Sequence, residues 1–134
     1  MYQKHWSYEL PVRPEVPTGV NAIDHLVGKR LLEVGLKPSK EADRRILARR
    51  LHWDLVGLPP TPREVEAFEK DRSKDAYDLL VKKLMSSPHY GERVAIGWLD
   101  VVRFADTIGY HSDNPRNVWP YRNYVIDAFN RNKP

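Results

Sequence analysis

Between Ser87 and Asp106 the chain is apolar at helical spacing on almost every side, and this run limits what the remaining residues can build around it. Pro88 behind Ser87 is the order of an N-cap hydroxyl followed by a first-turn proline. Tyr90, Val94, Trp98, Val101 and Ala105 recur at steps of three and four and mark one face. Ile96, Leu99 and Phe104 fall on the opposite face, which predicts a helix over about 88–106, buried at the centre of a domain. Asp100, Arg103 and Asp106 would then sit where water is scarce. Their three-residue spacing lets the guanidinium reach either carboxylate. Such a ladder serves either as a structural ion pair or as the floor of a site.

The other helices announce themselves by their ends. Asn21 precedes Ile23, Val27, Leu31 and Val34, and Gly35 supplies the stop. Leu47, Leu51 and Leu55 stripe a second helix over about 40–56, closed by Gly57 and Pro59-Pro60. Its other face carries Arg44, Arg45, Arg49 and Arg50, read as a solvated face partnered by Glu41 and Asp43. Thr61-Pro62-Arg63-Glu64 spells a capping box with proline at the first helical position. Ser73 is placed to cap a fourth helix striped by Tyr77, Leu80, Val81 and Leu84, and Pro120 opens a last one with Tyr121, Tyr124, Val125, Ala128 and Phe129. No stretch alternates at period two. The expectation is an all-α fold of about six helices around the central one, as a single domain over 21–134. Ahead of it, Pro11, Pro14 and Pro17 at spacing three favour an extended arm over 1–20.

The segment Thr107–Trp119 is a loop by its Gly, Ser, Asp, Asn and Pro content. It is also dense in side chains that bind: Tyr110, His111, Asp113, Arg116 and Trp119. Together with Asp100, Arg103 and Asp106 these make the candidate site, because a loop held by rigid helices is where binding residues gather. Thirteen residues separate Asp106 from Trp119 inclusive of the latter, so the loop must fold back over the helix end.

Composition narrows the function classes. The chain has no cysteine, which removes disulfides, thiolate zinc sites and CxxCH haem attachment. The excess of basic residues is even, 12 against 10 acidic in residues 1–70 and 10 against 8 in 71–134, and so leaves no footprint for nucleic acid. The N-terminus lacks the apolar core of a signal peptide, and no run reaches membrane-spanning length.

Taken in order, several motifs form a pattern: Trp53-Asp54-Leu55-Val56-Gly57-Leu58-Pro59-Pro60-Thr61-Pro62, then Ser87-Pro88-His89-Tyr90-Gly91-Glu92-Arg93, then Trp98-Leu99-Asp100 and Arg103-Phe104-Ala105-Asp106. Gly109-Tyr110, Arg116-Asn117-Val118-Trp119 and Tyr121-Arg122-Asn123-Tyr124 complete it. This series resembles the planctomycete domain of unknown function that accompanies planctomycete-type cytochrome c modules in large secreted proteins. The resemblance implies a periplasmic or secreted setting, cytochrome c-type or other domains of the same protein as partners, and room for haem c on a neighbouring domain; no cofactor is expected in this chain, and charge and hydropathy add the expectation of no nucleic acid and no membrane insertion. Three departures stand out. Gly97 occupies a position where the family often has histidine, and His111 one where it commonly has an acid. The family pattern also runs on beyond Pro134, so the chain is expected to be truncated at its C-terminal end, with the last helix short of its cover.

The leading expectation is a non-catalytic helical scaffold or binding module. The alternative is a metal-dependent hydrolase or oxidoreductase site made from Asp100, Asp106, His111 and Asp113, whose carboxylates and imidazole suit a hard or borderline divalent ion. Nucleic-acid binding by the arginines of the second helix is a weaker reading, as is non-covalent haem held by His89, His111 or Met85.

Overall fold

The computed structural model describes residues 5–108 and 113–134, and the chain divides into two compact units, one ending at Glu41 and the other running from Ala42 to Pro134. Among the described residues the fold is all-α, with six α-helices and no strand. No helix there is long and apolar enough to cross a membrane.

The first unit holds the arm and one helix. His5 Nδ1 accepts the Ser7 N–H at 3.3 Å and starts a 3-10 turn over Trp6–Tyr8, after which the proline segment runs extended. Helix α1, Ala22–Glu33, is capped by Asn21, whose Oδ1 accepts from Ile23 N at 2.9 Å and Asp24 N at 3.2 Å. Gly35, at φ 72°, ends it. The Leu36 N–H reaches the Leu31 carbonyl at 2.8 Å and the Gly35 N–H reaches that of Leu32, the paired bonds of a glycine-closed helix terminus.

The second unit stacks five helices: α2 Arg44–Leu55, α3 Pro62–Lys70, α4 Ala76–Met85, α5 Pro88–Val101 and α6 Trp119–Asn130. Helix α2 packs against α3, α4 and α5, and α5 packs most extensively on α6. Two small cores form on α2. Ala48 meets Phe68 and Ala76, while Leu51 and Val56 meet Leu84, with Leu80 packed against both. The seam of α5 with α6 depends on a missing side chain. Gly91 lies where a Cβ would come within 2.5 Å of the Ile126 carbonyl oxygen and 2.6 Å of the Asn130 side chain. In that space Asn130 caps α5 from the neighbouring helix: its Oδ1 accepts the Gly91 N–H at 2.7 Å and its Nδ2 donates to the Pro88 carbonyl at 3.1 Å.

Several expectations need correcting. The central position belongs to α2, not to the helix at 88, and that helix stops at Val101 rather than 106. Ile96, Trp98 and Val101 are 58%, 49% and 74% exposed, so α5 is not buried all round. It stops because Arg103 takes a left-handed φ of 55°, with Phe104 N–H bonded to the Leu99 carbonyl at 2.9 Å and Arg103 N–H to that of Asp100. Helix α2 begins at Arg44 because the Asp43 carboxylate accepts the Ile46 N–H at 2.8 Å. Ser73 does not cap α4; its N–H and hydroxyl both turn to Asp71 Oδ1, at 2.9 and 2.7 Å.

Candidate functional site

The segment after α5 does fold back. Thr107 pairs with Pro115 in an isolated antiparallel bridge, the Ile108 N–H reaches the Asn114 carbonyl at 2.9 Å, and the Arg116 N–H reaches that of Asp106 at 2.7 Å. Asp113 stands at its far side with φ 40°. Tyr110 and His111 lie outside the described residues. Trp119 is half-exposed and is the first residue of α6 rather than part of the loop.

The ion ladder is not what its spacing predicts. Arg103 Nη1 lies 3.2 Å from Asp100 Oδ1, but the two side chains are 83% and 79% exposed. Asp106 is drawn away from it, to Arg122 of α6 at 3.6 Å. A helix that ends at Val101 releases Arg103 and Asp106 from the three-residue register that would have stacked them. Among the described residues no three His, Asp or Glu side chains gather as a metal would need.

Of the α2 arginines, Arg45, Arg49 and Arg50 are exposed as a solvated face requires, although Arg45 pairs with Glu69 rather than with Glu41 or Asp43; Arg44 departs from that reading. Arg44 turns inward, its Nε donating to the Phe68 carbonyl at 2.9 Å and its guanidinium 4.1 Å from the centre of the Phe68 ring. Arg45 grips Glu69 with two bonds, at 3.2 and 2.9 Å, and this partner raises its pKa above the ordinary arginine value. Arg49 and Trp53, one turn apart, line a groove of about 630 Å³ with Pro59, Pro60 and Val65.

Three other features lie outside the candidate site of residues 100–119. The first is His52, 4% exposed on α2. Its Nδ1 hydrogen serves the Ala48 carbonyl at 2.9 Å, while Nε2 is buried without a hydrogen-bond partner, 3.9 Å from Glu64 Oε2. Its place in the stripe Ala48, Leu51, Leu55 was a usable signal. Glu64 itself accepts the Thr61 N–H and hydroxyl, each at 2.9 Å, and pairs with Lys83 at 3.1 Å. The Thr61 N–H, with that hydroxyl and Lys83 behind it, holds the carboxyl down to about 2.

The second is a groove of about 310 Å³ between α5 and α6, lined by Trp98, Tyr121, Tyr124, Val125, Ala128 and Phe129, with Lys133 at its rim. The Trp98 indole N–H donates to the Tyr121 hydroxyl at 2.9 Å. Lys133 donates to the Tyr124 hydroxyl at 2.6 Å, so the polar tips are satisfied while the rings remain open. The third is a cavity of about 330 Å³ where the C-terminal turn of α2 meets α5, lined by Val56, Gly57, Leu58, His89, Glu92, Arg93 and Ile96.

Comparison with known families matches residues 22–134 to the model PSCyt2, described as a protein of unknown function (DUF1549). Neither the curated proteins nor the solved structures give a match.

Proposed function

The chain belongs to that family of proteins of unknown function, and from this premise we propose that it is a non-catalytic helical scaffold or binding module of a multidomain, cytochrome-associated envelope protein. The observation that carries the reading is the α5–α6 groove. Trp98, Tyr121 and Tyr124 are all exposed along it, on a domain that buries few large side chains elsewhere. Aromatic rings with their polar tips already paired are what protein interfaces concentrate. In this proposal the occupant is a cytochrome c-type domain of the same protein, as the cytochrome element in the family name suggests. The setting is outside the cytoplasm.

Phe104 and Tyr121 lie with ring centroids 6.3 Å apart and Asp106 is tied to Arg122 of α6, which supports counting Asp100, Arg103, Asp106, Asp113, Arg116 and Trp119 in the same binding region in this reading; Tyr110 and His111 lie outside the described residues.

Calorimetric titration of the chain with a c-type cytochrome domain from the same protein tests it. Saturable binding is expected, weakened about tenfold or more by Trp98→Ala or Tyr124→Ala, as for central aromatic anchors. Binding indifferent to both changes, or no binding, would remove the proposal.

A further inference from the structure

Two features take no part in the α5–α6 groove: the proline arm and the groove of about 630 Å³ between α2 and α3. One wall of that groove is a single stripe of α2, Arg45, Arg49 and Trp53, spaced by four and so spanning about 12 Å at the helical rise. Arg45 bonds Glu69, so the start of α2 meets the end of α3, and the prolines that join the two helices lie at the Trp53 end. There Pro59, Pro60, Pro62 and Val65 make the other wall apolar and, for the most part, rigid. Trp53 is 45% exposed against them. Further along, Glu69 is held by Arg45 and Glu66 by Lys70, which leaves Arg49 as a cation with no carboxylate of its own among the described residues. The groove is therefore apolar at one end, with a surplus positive charge one helical turn away.

The arm carries the complementary pattern. Pro11, Pro14 and Pro17 repeat at the three-residue turn of a polyproline helix, which sorts the segment into three edges. Arg13, Pro14 and Val16 line a small cavity with Ala22 and Leu26 of α1, so these residues are engaged within their own unit. The edge of Glu9, Val12 and Glu15 stays open, with Val12 87% exposed. We propose that the Trp53 groove binds the arm of a second copy of the chain. Val12 lies on the Trp53 ring, Pro11 against Pro59 and Pro60, and the Glu15 carboxylate on the Arg49 guanidinium. Val12 and Glu15 are one polyproline turn apart, about 9 Å, and Trp53 and Arg49 one helical turn, about 6 Å; the long arginine stem spans the difference. Aromatic-lined grooves take such segments because an arm already extended by its prolines loses little entropy on docking. The Trp53 groove is separate from the α5–α6 groove, and either assignment can fail alone.

The test mixes two full-length variants, both carrying Trp98→Ala so that the α5–α6 groove takes no part. One adds Val12→Ser and Glu15→Arg in the arm, the other Trp53→Ala in the groove. In sedimentation velocity each alone should stay monomeric at concentrations where the Trp98→Ala chain associates. The mixture should associate, because the groove intact in one meets the arm intact in the other. A synthetic peptide of residues 9–18 should shift the Trp53 indole and Val65 amide signals of the Trp98→Ala chain, and Trp53→Ala should weaken it about tenfold or more. Arg49→Glu should weaken the peptide about fivefold, the size of an exposed ion pair, and Glu15→Arg in the peptide should restore binding to that variant. Arg49 is exposed, so this charge exchange should leave the fold intact. A Trp98→Ala chain that is monomeric at every concentration, a mixture that does not associate, or a peptide indifferent to Arg49→Glu would overturn the inference. Peptide binding without association of the mixture would give the groove to a proline-rich segment of another protein and overturn its assignment to a second copy.

Discussion

At the scale of single residues, Glu64 joins two neighbours at once, Thr61 and Lys83. Its carboxyl closes the capping box of α3 and receives Lys83 from α4, and its folded pKa of about 2 lies below the ordinary value of 4.5. A depressed carboxyl pKa contributes stability above the unfolded value, and that contribution fades as pH falls from about 4.5 towards 2. Glu64→Gln should therefore lower stability at neutral pH and flatten the acid limb over that window. Urea unfolding at pH 7 and pH 3 reads both effects, and a variant with an unchanged acid limb would show that other groups set it. Arg103 is the opposite case. Its exposed pairing with Asp100 gives little to lose, so Arg103→Leu should leave the melting temperature nearly unchanged. Arg103→Gly should raise stability by about 0.5–1 kcal/mol, because the position closes α5 at φ 55° and glycine adopts that conformation without a Cβ clash. A destabilised glycine variant would mean that the arginine stem packs more than its exposure indicates.

At the scale of elements, the joint between α5 and α6 is the most specific in the molecule. A methyl group at residue 91 would meet backbone, not a flexible side-chain end, and the Asn130 amide that caps α5 fills the rest of the space. Gly91→Ala should cost about 1–3 kcal/mol through overpacking, accompanied by loss of the Asn130 cap. Asn130→Ala alone should cost a similar amount, about 1–3 kcal/mol, since it orphans the N–H of buried Gly91. Thermal unfolding of the two variants and their double mutant separates the effects; fully additive losses would show that the close approach and the cap are independent.

At the scale of the whole molecule, the hydrophobic side chains buried among the described residues of the 42–134 unit are three alanines, two leucines, two valines and one phenylalanine, while Trp53, Ile96, Trp98 and Tyr124 stay at its surface. Exposed aromatic surface of this kind drives association when its partner is missing. The purified chain should sediment faster as concentration rises, and Trp98→Ala should reduce that dependence. A concentration-independent monomer would argue that the groove holds too little apolar area to associate by itself.

The sequence by itself determined the class of the fold and most helix ends, because those are local matters. Asn21, the Thr61–Glu64 box, Ser87-Pro88, Gly35 and Gly57 each act within a few residues through a cap bond or a left-handed turn. What only tertiary structure decided is which helix lies in the middle and which charges are buried. The all-round apolar pattern of α5 fits a buried helix, yet its Trp98 and Ile96 face outward, since burial depends on the number of neighbours that fit and α2 takes α3, α4 and α5 against its own small face. The stop of α5 was hidden because arginine rather than glycine takes the left-handed position. The cavity at His89, Glu92 and Arg93 was hidden as well: its floor comes from Val56, Gly57 and Leu58, more than thirty residues earlier in the chain, and only packing brings those two stretches together.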